Sequence, residues 1–464
     1  MSVAIIPPTD PNTIQVLTQS LIRHVFDEKK RPIKTLNGIL KDHNGNWRIP
    51  VAFAHVALKI PLPDYTTLPR VPIACNTVLG HGGRDYQIPA YSVITKMLVE
   101  THFAFLSLQC GGGKTEVAVK IIADLGLKTA VVTDVSAIFP QWVSVLKERT
   151  NARVCEIKSA KDVDPVKGLP EADVYVFMIT AVGRIHPDCF NQIKFLVVDE
   201  ATYLMTPEKM WPLLHIQPAY TLGCCAEIKR DDKMHVMVPT FFGEGMYRRI
   251  SDKPYLVHKV NTPYKPNIKN QRYRHGPDWN EVLRSLAENE ERNEDIVYLC
   301  RSLPESKIVV GCKRKAQANY LASKLKELGE SVETLIGKDN KVNNCRILVG
   351  IYSKMGRGID IKNLSPDWEG DVFDTAIVAA DITKPEQFVG RVFRHDNPVV
   401  YHFVDDNQTL NKHFNKECVP WYKSRKALID EMIIDRKGEG VSKKESEEKK
   451  IMEGIKTRMI KMKK

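Results

Sequence analysis

The sequence predicts an α/β protein: two tandem domains, each a parallel sheet with helices on both faces, behind a small α+β N-terminal domain. Three observations predict it. Short apolar, often β-branched runs such as Thr129-Ala-Val-Val-Thr133 and Phe195-Leu-Val-Val198 alternate with helical stretches, the rhythm of a parallel sheet. A glycine-rich loop, Gln109-Cys-Gly-Gly-Gly-Lys-Thr115, joins the apolar run Phe103 to Leu108 to a helical stretch over Glu116 to Ala123. The rhythm then resumes in the second half of the chain without a second loop of that kind.

Residues 1–80 read as the small leading domain. Apolar pieces at Trp47 to Phe53 and Val56 to Ile60 alternate there with turn material at Asp42 to Gly45 and Pro61 to Asp64. A structural cap and a substrate contact fit it equally. Residues 81–260 read as the first sheet domain, with a helix over Pro89 to Glu100 and strands at Val174 to Ile179 and Tyr220 to Gly223 besides those above. A connection rich in Pro, Lys, Arg and Tyr leads to the second domain, residues 261–436. There a helix spans Trp279 to Arg301, a strand Lys307 to Gly311, a helix Lys313 to Leu328, strands Cys345 to Gly350 and Thr375 to Ala379, and a helical segment Gln387 to Arg394. Residues 437–464 form a basic tail, with ten Lys or Arg against five Glu, which reads as an amphipathic helix or a mobile segment and as an auxiliary nucleic-acid contact.

The formal net charge of +12 over 464 residues points to a polyanionic partner, nucleic acid first. Ten cysteines without a C-x-x-C pair suit neither a disulfide framework nor a zinc site, so an intracellular, reducing compartment is expected. No apolar run reaches the roughly 18 residues that mark a membrane-spanning helix.

Phosphate chemistry is written in the loop. Residues Leu108, Gln109, Cys110, Gly111, Gly112, Gly113, Lys114 and Thr115 are the candidate nucleotide-binding segment. Glycines let backbone N–H groups close around the β and γ phosphates, Lys114 adds a point charge, and Thr115 offers a hydroxyl to Mg2+. The strict pattern has a glycine where this chain has Leu108. Further on, an apolar strand ends in Asp199-Glu200, a pair suited to two tasks. Asp199 can hold Mg2+ and Glu200 can orient and deprotonate water, although two acids at a helix start are also ordinary. Gln87 offers a donor and an acceptor to an adenine edge, or is merely a polar residue at a helix start. Arg391 and Arg394, three apart, share a helical face and could reach a γ phosphate together, or form a solvated face.

In their order these motifs resemble helicase superfamily 2. The resemblance covers roughly residues 80–410: Arg84-Asp-Tyr-Gln87, the glycine loop, Phe139-Pro-Gln-Trp142, Thr180, Asp199-Glu-Ala-Thr202, Gly356 to Asp360 and Gln387-x-x-Gly-Arg-x-x-Arg394. Leu222-Gly-Cys-Cys-Ala-Glu-x-Lys-Arg-Asp-Asp232 and Trp421-Tyr-Lys-Ser-Arg425 are similar to the XPB-like branch, and the layout is most like the transcription helicases of poxviruses and African swine fever virus. The resemblance implies two RecA-like domains and an enzyme that hydrolyses ATP, with Mg2+, to move along DNA or, as the alternative track, RNA. It implies adenine at Gln87, phosphate at Lys114, Mg2+ at Thr115 and Asp199, water at Glu200, γ phosphate at Arg391 and Arg394, and ribose at Asp360. Pro140, Gln141, Trp142, Thr180 and Ser353 would meet the nucleic-acid backbone. Where the family has Thr-Ala-Thr, this chain has Cys225-Ala-Glu227, and a glutamate beside phosphates would repel them. The expected function is thus a nucleic-acid-dependent ATPase in viral transcription, with RNA polymerase or transcription factors as possible partners. A virion or cytoplasm would house it if viral, and a nucleus otherwise. A repair or recombination translocase is the alternative, as is an ATP-gated clamp with little turnover.

Overall fold

The computed structural model describes residues 5–6, 11–26, 32–42, 45–81, 84–109, 111–228, 230, 232–249, 254–266, 278–337, 342–355, 365, 367 and 372–436. Expectations for Cys110, for Gly356 to Asp360 with its ribose contact, and for the tail 437–464 lie outside the described residues. The chain divides into two compact units, Met1–Ile250 and Ser251–Lys464.

In the first unit, seven parallel strands lie in the order Met246–Arg249, Phe103–Leu108, Tyr220–Cys225, Phe195–Asp199, Thr129–Thr133, Val174–Met178, Val154–Ile157. Successive side chains on a strand face opposite ways, and here both faces are apolar. Ala130 and Val132 enter one core cluster while Val131 enters another. A sheet covered on both faces needs such continuous apolar runs, which is why its strands were readable as blocks rather than alternations. Helices Gln87–Thr101, Lys114–Leu125 and Phe139–Arg149 pack their apolar sides on the second cluster. The strand ending at Leu108 and the strand ending at Asp199 flank the same neighbour, Tyr220–Cys225. That places the glycine loop and the acidic pair at the carboxyl ends of nearby strands, where open α/β sheets take their ligands.

The N-terminal segment is built from the helix Pro11–Leu21, the antiparallel pair Ile22–Phe26 and Pro32–Asn37, and the helix Val51–Leu58. Its small core of Leu17, Leu21, Ile39, Ile49, Val51, Ala52 and Ala54 includes Phe103 of the glycine-loop strand. Arg48, 5% exposed, lies 3.8 Å from Asp42 and 3.9 Å from Asp188 of the sheet domain. Phe103, the first residue of its strand and so at the end opposite the loop, and the Asp188 contact join the segment to the sheet domain.

The second unit repeats the architecture, in the order Val332–Leu335, Ile347–Ile351, Ile308–Cys312, Thr375–Val378, Val399–Val404, Tyr255–Asn261, Ala427–Met432, again all parallel. Tyr255–Asn261 is an inner strand of this sheet, so the second compact unit begins at Ser251, ahead of the expected boundary at 260/261. Where one helix was expected over Trp279 to Arg301 there are two, Trp279–Ala287 and Glu290–Arg301, since the Asn289 side chain accepts the N–H of Arg292 and starts a new helix. Arg292 is itself buried to 1% exposure and grips Asp405 with Nε and a terminal nitrogen at 2.6 and 2.9 Å, donating also to the carbonyl of Ala379 at 2.8 Å. An Arg292→Met variant strands the Asp405 charge in the interior and should cost about 3–5 kcal/mol of stability. Urea unfolding of the intact chain would register it as an early transition of the second unit.

Candidate functional site

The glycine loop owes its shape to backbone angles other residues resist. Gly111 and Gly113 have φ of +73° and +75°. A side chain on Gly113 would also collide with Gln87 and Glu116, since its Cβ would lie 2.0 Å from Gln87 Nε2 and 2.2 Å from Glu116 Oε2. The helix Lys114–Leu125 starts directly after, so its unpaired N–H groups face the loop. Leu108, at the Gly position of the strict pattern, is 1% exposed and ends the strand. It contributes only its carbonyl, which accepts from Lys114 Nζ at 3.2 Å. Gln109, Gly111, Gly113, Lys114 and Thr115 are half-buried and line the loop.

Around the loop lies a cluster that motif spacing did not reveal. Gln87 is 2% exposed, its Oε1 accepting from the N–H of Gly80 at 3.0 Å and its Nε2 donating to Glu116 at 3.0 Å. Two of the amide's four hydrogen-bonding positions are thus used within the protein. Arg84 pairs with the same Glu116 at 3.2 Å. Beside them the Arg249 guanidinium lies over the Tyr86 ring, 4.6 Å from its centroid. Glu116 and Arg249 carry no motif signal; only the pairing of Arg249 with Leu108 across adjacent strands brings the latter here.

Asp199 and Glu200 diverge because of one backbone feature. Glu200 has φ +50° and ψ +40°, the left-handed region, which turns its side chain away from that of Asp199. The Glu200 N–H donates to Asp199 Oδ1 at 2.9 Å. Burial raises the Asp199 carboxyl above the ordinary carboxylate range, opposed by the Lys114 ammonium and by the hydrogen bonds from Trp142 and the Glu200 N–H. Glu200 is half-buried, and Cys225 Sγ lies 3.5 Å from its Oε2.

Cys225-Ala-Glu227 is knitted to the acidic box. Thr202 Oγ1 lies 2.6 Å from Cys225 Sγ and donates to the Glu227 carbonyl at 2.8 Å. The Glu227 carboxylate accepts from the Tyr203 hydroxyl at 3.2 Å, and Arg230 lies over the Tyr203 ring. A glutamate engaged in this way is partly turned from the role of a bare repelling charge. Burial pushes the Cys224 and Cys225 thiols well up, so both stay protonated donors.

Of the residues expected at nucleic acid, Pro140, Thr180 and Ser353 are exposed and Gln141 is half-buried. Trp142 is not available. It is 1% exposed, its ring lies in the core with Ile138, Val143 and Leu146, and its indole N–H donates to Asp199 Oδ2 at 2.8 Å. On a helix, residues two apart face nearly opposite ways, so an exposed Pro140 implies an inward Trp142.

In the second unit the stretch with the arginines is not one helix. Glu386–Val389 is helical, Val392–Arg394 is a 3-10 turn, and Arg391 caps that turn. Arg391 and Arg394 still border one small cavity with Met355 and Phe373, and Arg391 Nε donates to the Met355 carbonyl at 3.2 Å. Glu386, 5% exposed, is held by Arg425 at 2.6 Å and by the Trp421 indole at 3.3 Å, with Arg425 stacked on Trp421. The Trp421 to Arg425 segment therefore anchors the start of the arginine segment.

Mg2+ is tested by the donor set. Among the described residues no group of three or more His, Cys, Asp or Glu could hold a metal. One buried carboxylate and one hydroxyl, beside a loop shaped for phosphates, fit an ion that keeps phosphate and water oxygens as its other ligands.

Residues 81–230 match the family described as Type III restriction enzyme, res subunit. Over 450 residues the chain is 28% identical to 161L of Invertebrate iridescent virus 6, named as a candidate helicase, spanning 90% of this chain and 97% of that one. The chain is related to the superfamily 2 helicases of large DNA viruses. It is also 28% identical over 189 residues to DNA 3'-5' translocase XPB2 of Sulfurisphaera tokodaii, covering 39% of this chain and 38% of the relative. In fold it is similar to S. cerevisiae Dbp5 bound to RNA and ADP BeF3, with a TM-score of 0.53, 14% identity, and coverage of 82% of this chain and 93% of that one. Its two parallel sheets and their motifs are those of an ATP-hydrolysing nucleic-acid helicase of this superfamily, whose cofactor is ATP with Mg2+. No helix among the described residues is long and apolar enough to cross a membrane.

Proposed function

We propose that the chain is an ATP-driven motor on nucleic acid, with DNA the favoured track, serving viral transcription at elongation or transcript release. The observation that carries this reading is the convergence of a phosphate-shaped loop, a buried metal-type carboxylate and a separately aimed Glu200 at the carboxyl ends of one sheet. Lys114 and the loop N–H groups bind the phosphates, Asp199 and Thr115 hold Mg2+, and Glu200 takes a proton from the attacking water. Arg391 and Arg394 supply positive charge to the γ phosphate in the transition state. Pro140, Gln141, Thr180 and Ser353 meet the backbone of the track, which positions a strand without reading its sequence. DNA is favoured on the name of the Sulfurisphaera tokodaii relative, a DNA translocase, while the relatives in mimivirus and African swine fever virus are named for RNA, the alternative track. A track-driven motor should strip streptavidin from the end of a biotinylated single strand only when ATP is hydrolysed. Displacement with DNA and not RNA supports the reading; displacement that needs no ATP, or none on either polymer despite turnover, contradicts it.

A clamp with little turnover is the second reading, and Cys225-Ala-Glu227 is the feature that favours it. Against it stands the retention of both Glu200 and Arg394, residues that a mere binder does not need.

A further inference from the structure

Trp142 is among the largest fully buried side chains of the protein, and its one polar atom is spent on a carboxylate assigned to a metal. Trp142 is 1% exposed and Asp199 5%, so neither group can exchange its partner for bulk water. The 2.8 Å bond from the indole takes Oδ2, while the Glu200 N–H takes Oδ1 at 2.9 Å. A carboxylate bound at one oxygen can still swing about its last torsion, which is broad for Asp. Bound at both, it has one orientation.

We propose that Trp142 is a positioning residue for the metal: its indole N–H locks the Asp199 carboxylate so that the remaining lone pairs are presented to Mg2+. The inference rests on the ATPase reading above. The residue type suits the task. An indole is a donor only and carries no charge, so it orients the carboxylate without setting a second cation beside the metal. Partners that orient a metal's ligands are worth as much as the ligands' own geometry, typically 10–100-fold in affinity. The helix Phe139–Arg149 thereby has two jobs, an exposed start at Pro140 and an inner face that holds the metal carboxylate.

The test separates orientation from space-filling. Trp142→Phe keeps an aromatic ring in the core while removing the N–H and part of the indole's bulk, so unchanged ADP affinity in excess chelator is the sign that the packing of the site survives. Mn2+, standing in for Mg2+ and read by electron paramagnetic resonance, is titrated into the full chain saturated with ADP. The variant is expected to bind Mn2+ about 10–100-fold more weakly, while its affinity for ADP in excess chelator stays that of the parent. Equal Mn2+ affinity in parent and variant overturns the proposal. Failure of the parent itself to take up Mn2+ with ADP removes the ATPase reading, and this inference with it. A measurement on the parent guards against a poorly folded variant. With 15N-labelled tryptophan, the indole resonance of Trp142 should shift when Mg2+ is added to the ADP complex; a resonance that does not move overturns the proposal as well.

Discussion

A Glu200→Gln chain is expected to bind ATP with Mg2+ as the parent does and to turn it over about 10²–10⁴-fold more slowly, the share a positioned general base supplies. The geometry makes the substitution clean. Glu200 owes its direction to its own left-handed backbone and to the hydrogen bond its N–H gives Asp199, and both survive the change. Glutamine retains the length and the contact with Cys225 Sγ, but it cannot take a proton. Binding of a fluorescent ATP analogue and steady-state turnover, measured side by side, check the two halves. Turnover within a fewfold of the parent would move the base elsewhere.

The second large effect belongs to the other unit. Arg394→Ala should lower ATP turnover by about 10³–10⁵-fold, the range an arginine that stabilises transferring phosphoryl charge commands. Binding of ATP should change little, because the loop and Lys114 hold the ground state. Lysine should not rescue, since a point charge lacks the planar fork that meets two phosphate oxygens. Single-turnover kinetics at saturating ATP and nucleic acid separate this loss from weakened binding. An unaltered rate in Arg394→Ala would leave Arg391, or neither, as the γ-phosphate contact.

What the sequence revealed follows from what each element buries. Strands covered on both faces, such as Thr129–Thr133 and Phe195–Asp199, are solid apolar blocks and stand out. Edge strands do not. Val154–Ile157, Met246–Arg249 and Ala427–Met432 carry Glu, Arg or Asp on faces left open, and they were not legible as strands. Tyr255–Asn261 was hidden differently: His258 and Lys259 interrupt its apolar run, yet both are buried, His258 against Asp430 and Lys259 beside Glu431 of the adjacent strand. Such pairs become visible only once two distant segments lie side by side.

The same reason divides the site. The loop glycines were legible because positive φ at Gly111 and Gly113 fixes their residue type, and Lys114, Asp199 and Glu200 because each stands where an apolar run gives way to a turn. Trp142 was placed at the track by the resemblance of Phe139-Pro-Gln-Trp142, and nothing local shows that its indole reaches Asp199. Glu116 and Arg249 likewise join the Arg84-Asp-Tyr-Gln87 segment by packing rather than by spacing.

The central claim is that hydrolysis at the Asp199–Glu200 site is driven by a nucleic-acid track. Steady-state ATP hydrolysis by the purified chain, alone and with single-stranded DNA, duplex DNA or RNA, tests it most directly. The account predicts low turnover alone and a marked stimulation by polymer, greatest with DNA and abolished by Glu200→Gln. Turnover that is the same with and without every polymer, or that persists in Glu200→Gln, would contradict it.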